Sequence, residues 1–169
     1  MVFIQAFANN GSIMFYEMGY RLTGTQEYYI LEHECGVNTM KMMVNFALTG
    51  EMSDNQAKEL VNPDYSKFYC LINFLIKPGT IGKITGAEEI NDYPEVINTI
   101  YEHRPGDSIT EAALGTLRQI AFRVFAEAPS RKELAMVMER IHNKIEIISD
   151  QGEKMLLHPL NVNEIQYES

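Results

Sequence analysis

The sequence contains no tryptophan, only two cysteines in 169 residues, and a deficit of positive charge. Two cysteines, Cys35 and Cys70, cannot build a disulfide framework, and a free cysteine most often serves as a small buried hydrophobe. No apolar run reaches the roughly 20 residues needed to cross a bilayer, and the first residues lack the basic-then-apolar plan of a signal peptide. The expected location is therefore the cytoplasm, with no membrane partner. Fourteen basic residues against 23 acidic ones give a formal charge of -9 with no lysine-arginine run. Such a surface repels a polyanionic backbone instead of releasing its counterions, so nucleic acid is not an expected partner. What is present, 46% hydrophobic and 22% charged residues, suits a globular chain with one core or two small ones.

The local signals alternate between strands and helices. Val2 to Phe7 and Ile13 to Glu17 are short alternating runs joined by Asn9-Asn10-Gly11, residues that tolerate positive φ, and together they predict a β-hairpin. The first run has no polar lead-in, which suggests a chain that begins in mid-domain. Asn38 is placed to cap a helix whose Met40, Met43, Val44 and Ala47 share one face and which Gly50 ends. A polar passage from Ser53 to Ser66, containing Asn62-Pro63-Asp64, marks a domain boundary near Val61. Beyond it, Lys67 to Ile76, Gly79 to Thr85, Val96 to Glu102 and Thr116 to Glu127 read as strands, punctuated by Pro78-Gly79 and Pro105-Gly106. Ser130 and Glu133 form a capping box ahead of a stripe of Leu134, Val137, Met138, Ile141 and Ile145, leading to a strand around Ile147. From Pro159 onward the residues lack periodicity and read as a loose tail. The expected fold class is α+β, divided into residues 1–60, 61–158 and the tail 159–169.

Alternation within the hairpin puts Phe3, Gln5 and Phe7 on one face of the first strand, and Ile13, Phe15 and Glu17 on one face of the second. Paired strands let Gln5 and Glu17 face together. An amide oxygen and a carboxylate are hard donors suited to a Mg²⁺ ion held mainly by phosphate and water. Arg21, four residues on, could hold a phosphoryl group by charged hydrogen bonds. The plainer alternative is a partly exposed Glu17–Arg21 ion pair worth under ~1 kcal/mol.

The run Phe15-Tyr16-Glu17-Met18-Gly19-Tyr20-Arg21-Leu22-Thr23-Gly24 resembles the terminal E-x-N-x-R segment of ATP-grasp enzymes. In that family the segment is followed by a Gly-Val or Gly-Ile start to a helix ending in Ala-Leu-Gly-like residues; Gly36-Val37 and Ala47-Leu48-Thr49-Gly50 fit. The other metal ligand of the family lies about a dozen residues upstream, usually Glu but Gln in carbamoyl-phosphate synthetase, and Gln5 stands at that position. Lys77-Pro78-Gly79-Thr80 and Ile81-Gly82-Lys83-Ile84 ahead of Gly86 are similar to the C-terminal domain of L-amino-acid-ligase-like members. The resemblance covers roughly residues 1 to 157, of which the hairpin segment alone is motif-specific.

It implies the C-terminal half of an ATP-grasp domain, antiparallel strands plus a helix, followed by a strand-rich domain with one long capped helix. By the same resemblance Gln5 and Glu17 would be metal ligands, Glu17 and Arg21 would face the nucleotide, and Arg21 would be the catalytic residue that stabilises the phosphorylated intermediate. Gly19 departs from the family's Asn and offers no side-chain oxygen, so that metal ligand is missing or replaced by water. Leu22-Thr23-Gly24-Thr25 lacks the base that a bicarbonate-activating biotin enzyme places there. The implied activity is therefore that of an ADP-forming carboxylate–amine ligase working through an acyl phosphate. Its cofactors would be ATP and Mg²⁺, or Mn²⁺ in its place, bound only by the intact parent, with a small carboxylate as partner and a homodimer as the self-association left open. The fragment alone would be inactive. The alternative is a non-catalytic binding or assembly module that pairs through its first strand.

Other signals carry less. Gly82-Lys83 is followed by Ile84 and lacks the Walker spacing, so it reads as a strand turn. His33, Glu34 and Cys35 have no second pair at zinc spacing. His103, His142 and His158 are scattered and read as structural, and the ten methionines, Met40, Met42 and Met43 among them, as ordinary core.

Overall fold

The computed structural model describes residues 1–53, 57–62, 64–157 and 160–161; Pro63, His158 and nearly all of the expected tail lie outside them. The chain divides into two compact units, Met1–Tyr65 and Ser66–Ser169. No helix among the described residues is long and apolar enough to cross a membrane.

The first unit opens on strands β1 (Phe3–Asn9) and β2 (Ser12–Gly19), paired antiparallel. Asn10 at φ 46° and Gly11 at φ 77° turn the chain between them. Two successive positive φ angles make a two-residue turn whose twist matches that of the strands, which is why Asn-Gly specifies it so well. Helix α1 (Tyr28–Cys35) follows, ended by Gly36 in the left-handed region, whose N–H donates to the Glu32 carbonyl at 2.9 Å. Helix α2 (Thr39–Thr49) starts at Asn38, whose Oδ1 accepts from the Met40 and Lys41 amides at 3.0 Å each, and stops at left-handed Gly50. Asn38 Nδ2 donates to Glu32 Oε2 at 2.6 Å, and Lys41 pairs with the same carboxylate. The Lys41 hydrogen bond first, and the Asn38 one after it, hold the Glu32 carboxyl below its ordinary value. A single turn, α3 (Ala57–Leu60), completes the unit. Among its described residues only Val37 and Asn38 are buried.

The second unit starts with β3 (Phe68–Leu75), followed by β4 (Gly79–Thr85), the turn α4 (Ala87–Ile90), β5 (Val96–Tyr101), the short β6 (Ser108–Ile109), β7 (Ile120–Ala128), α5 (Arg131–Lys144) and β8 (Glu146–Ser149). Two three-stranded antiparallel sheets form, in the orders β3-β7-β5 and β6-β4-β8. Every residue of β7 is buried. Ile72, Phe74, Phe122 and Val124 share a core with Ile81, Ile147 and the α5 residues Val137 and Ile141. At ~1.5–3 kcal/mol for each fully buried large side chain, this core holds the unit together. The capping box forms as expected: Ser130 Oγ accepts from the Glu133 amide at 3.2 Å and donates to its carboxylate at 2.7 Å. His142 stacks on Phe74 with centroids 5.6 Å apart.

Three expectations are corrected. The strand expected from Thr116 starts at Ile120, because Thr116 accepts from the Arg118 amide and caps a 3₁₀ turn over Leu117–Gln119. Gly82 is no strand turn but lies inside β4 at a register shift, where an added Cβ would sit 2.6 Å from the Ser149 carbonyl oxygen. That close approach of β8 is what requires glycine there. Cys35 and Cys70 are both free and partly buried, and whereas Cys70 packs against the core as expected, Cys35 is no part of it.

Candidate functional site

The hairpin register sets the geometry. Phe3 pairs with Gly19, Ile4 with Met18 and Gln5 with Glu17; the register then shifts, and Ala6 pairs with Phe15. Direct partners in an antiparallel pair share a face with Cβ atoms about 5 Å apart, so the Gln5 amide and Glu17 carboxylate emerge side by side. Tyr16 is the extra residue of the resulting β-bulge. The bulge moves Phe15 to the face opposite Glu17, which overturns the expectation that Ile13, Phe15 and Glu17 share a face. It also brings Tyr16 onto Phe7, with ring centroids 4.6 Å apart and planes inclined by 26°.

The polar rung of Gln5 and Glu17 therefore lies between two aromatic ones. On one side the Phe7 and Tyr16 rings stack. On the other the Phe3 ring covers Gly19, where an added Cβ would lie 2.9 Å from Phe3 Cζ. Gln5 and Phe3 are half-buried, while Glu17 and Arg21 are exposed.

Arg21 follows the end of β2. Its guanidinium carbon sits 4.9 Å from the centroid of the Phe3 ring, and Nη1 donates to the Leu22 carbonyl at 2.8 Å. Glu17 makes neither hydrogen bond nor ion pair with another described residue, so the Glu17–Arg21 pair does not form. The structure thus brings Gln5 and Glu17 together and docks Arg21 on Phe3. Among the described residues no cluster of three or more His, Cys, Asp or Glu side chains could hold a metal, and none forms around His33, Glu34 and Cys35.

The donor set here is one carboxylate and one amide oxygen, with no third side-chain oxygen from Gly19. Two hard donors on one face fit a Mg²⁺ ion, which keeps several waters and takes the rest of its ligands from phosphate. Sequence reasoning missed Phe3, whose role arises from pairing across the hairpin. The available signal was an aromatic residue in register with a glycine on the neighbouring strand.

No protein-family model and no curated protein matches the chain. Solved structures do match. The L-amino acid ligase of Bacillus licheniformis superposes with a TM-score of 0.68 at 19% identity, over 88% of this chain and 37% of that one. The phosphoribosylglycinamide synthetase of Anaerococcus prevotii gives 0.68 at 13% identity, over 88% and 37%. The biotin carboxylase domain of a thermophilic 2-oxoglutarate carboxylase, bound to bicarbonate, gives 0.67 at 18% identity, over 96% and 35%. The chain thus spans little more than a third of the length of each structure. All three are ATP-grasp enzymes, and over most of its length this chain has their fold.

Proposed function

We propose that this chain supplies the metal- and phosphate-facing hairpin of an ATP-dependent, ADP-forming carboxylate–amine ligase. The observation that carries the reading is the Gln5–Glu17 rung, whose carboxylate has no partner among the described residues, next to an arginine already docked elsewhere. Gln5 and Glu17 would hold Mg²⁺, or Mn²⁺ in its place. The ion, when bound, neutralises phosphate charge. Arg21 would carry its fixed positive charge to the γ-phosphoryl group as a carboxylate oxygen of the substrate displaces ADP from it. An amine nitrogen then displaces phosphate from the acyl phosphate, giving an amide. Neither step asks this chain for a general base on the hairpin; positioning and charge are its contributions.

Turnover needs a grip on the nucleotide, and the 169 residues contain no phosphate-cradling glycine loop of the Walker kind. The chain alone is expected to bind Mg-ATP too weakly for micromolar calorimetric detection and to release no ADP. In the native gene product, Glu17→Gln should lower carboxylate- and amine-dependent ADP release by at least ~100-fold. Micromolar binding of Mg-ATP by the isolated chain overturns its inactivity, and unchanged turnover in Glu17→Gln overturns the ligase reading.

A second reading has its own support. The opposite face of the hairpin is apolar and open, with Ile4 56%, Phe15 68% and Met18 61% exposed. A face of this kind suits a binding or assembly module derived from the same fold, with β1 as the pairing strand. Normal turnover in Glu17→Gln, together with lost association in Ile4→Lys, would select it.

A further inference from the structure

We infer that Phe3, Gly19 and Arg21 form one positioning device, in which glycine is required at 19 so that the Phe3 ring can lie against the backbone and hold the Arg21 guanidinium. Glycine is not demanded there by conformation, since Gly19 is absent from the glycines with φ in the left-handed region. It is demanded by space. Phe3 and Gly19 are direct partners across the hairpin, and a Cβ at 19 would lie 2.9 Å from Cζ and 3.2 Å from Cδ1 of the ring, with Cε1 nearer still. An aromatic side chain laid over a cross-strand glycine covers backbone that the glycine leaves bare. The ring thus sits in the space that a side chain at 19 would take, and Arg21 lies over it, with the guanidinium carbon 4.9 Å from the centroid.

The Leu22 carbonyl, accepting from Nη1 at 2.8 Å, holds the guanidinium from a second direction. An exposed arginine otherwise samples many rotamers, so two contacts on one guanidinium narrow where its charge sits. Phe3 is thus a positioning residue that acts through Arg21 and touches neither nucleotide nor metal. The consequence for turnover rests on the ligase reading above; the contact itself does not.

The test uses this chain with Phe3→Leu, which keeps apolar bulk but removes the ring face, Phe3→Tyr, which keeps it, and Gly19→Ala, which displaces it. The readout is the NMR ring-current shift of the Arg21 side-chain protons. We expect an upfield shift in the wild type and in Phe3→Tyr, lost in Phe3→Leu and in Gly19→Ala. Equal Arg21 shifts in the wild type and Phe3→Leu, with the spectrum of the second unit unchanged, overturn the inference. In the native gene product, Phe3→Leu should lower kcat roughly two- to five-fold, the factor expected for losing an exposed cation–π contact, and Phe3→Tyr should restore it. A kcat untouched by Phe3→Leu while Arg21→Lys abolishes turnover overturns the positioning role. If Arg21→Lys leaves turnover intact while the ring-current pattern holds, the ligase reading fails and the device stands.

Discussion

Cys70 offers a quantitative test of how the second unit is packed. It lies in β3 opposite Ala126 of β7 and packs against the core. Burial pushes its thiol up from an ordinary 9.0 to about 12, with a backbone hydrogen bond at Ala126 opposing only part of that. A raised thiol value means that the fold favours the protonated form. Below pH 9 both states hold the proton and stability is unaffected. Between pH 9 and 12 the unfolded chain ionises while the folded one does not, and stability falls by about 1.4 kcal/mol per pH unit, or ~4 kcal/mol over the window.

The perturbation is alkaline pH, and the reference is Cys70→Ala in a Cys35→Ser background, since other groups also titrate there. Tyr65 and Tyr101 are both raised, chiefly by burial. With no tryptophan in the chain, urea unfolding is followed by far-UV circular dichroism. The difference between the Cys70 protein and Cys70→Ala should be flat from pH 7 to 9 and then drop by ~2–3 kcal/mol by pH 11. In parallel, Cys70 at pH 8 should react with a disulfide reagent ~1000-fold more slowly than in the unfolded chain, from the thiolate fraction alone. A flat difference through pH 11, or native and unfolded thiols reacting alike, refutes the buried β3–β7 packing from which both numbers derive.

Two further outcomes test the local geometry of each unit. Gly86 holds φ +83°, and a Cβ there would collide with the Lys144 carbonyl, whose carbon would be 2.8 Å away, so Gly86→Ala should destabilise the second unit by about 3 kcal/mol, seen as a lower urea midpoint. Asn38→Ala removes two accepted amide hydrogen bonds at the start of α2 and should cost ~1–2 kcal/mol, read as faster hydrogen exchange of the Met40 and Lys41 amides. The same change strips Glu32 of a hydrogen bond that depresses its carboxyl. In the wild type the stability from the depressed carboxyl is present above the ordinary carboxylate value and lost as pH falls through the lower folded one; in the variant only the Lys41 interaction sustains it, so it is smaller and is lost at higher pH.

Signals carried by a few adjacent residues were legible in the sequence. Asn10-Gly11 specifies the turn, Asn38 and Gly50 bracket α2, and Ser130 with Glu133 starts α5, each through backbone groups within four residues. What the sequence hides depends on partners far along the chain. Helix α1 has no side-chain cap at Glu27, and its Tyr28-Tyr29-Ile30-Leu31 run has no helical polar face to announce it. Gly82 is identified by β8, more than sixty residues later. The bulge between Gln5 and Ala6 belongs to the pairing of two strands and is invisible in either alone, yet it decides that Phe15 leaves the face of Glu17 and Tyr16 joins it.

The same non-locality explains why the plain reading of Glu17 and Arg21 as an ion pair fails. An exposed pair of this kind contributes ~0–1 kcal/mol, no more than a guanidinium gains from an aromatic face. With the two terms level, the carbonyl of Leu22 and the ring of Phe3 decide, and Arg21 goes to them. Elsewhere the chain does neutralise its acids: Glu32 with Lys41, Glu95 with Arg140, Glu102 with Arg123 and Glu127 with Lys67. A Glu17–Arg21 pair would have cancelled both charges on the spot. Held apart, the carboxylate is left able to attract a cation and the guanidinium an anion. A metal-bound phosphate presents both together.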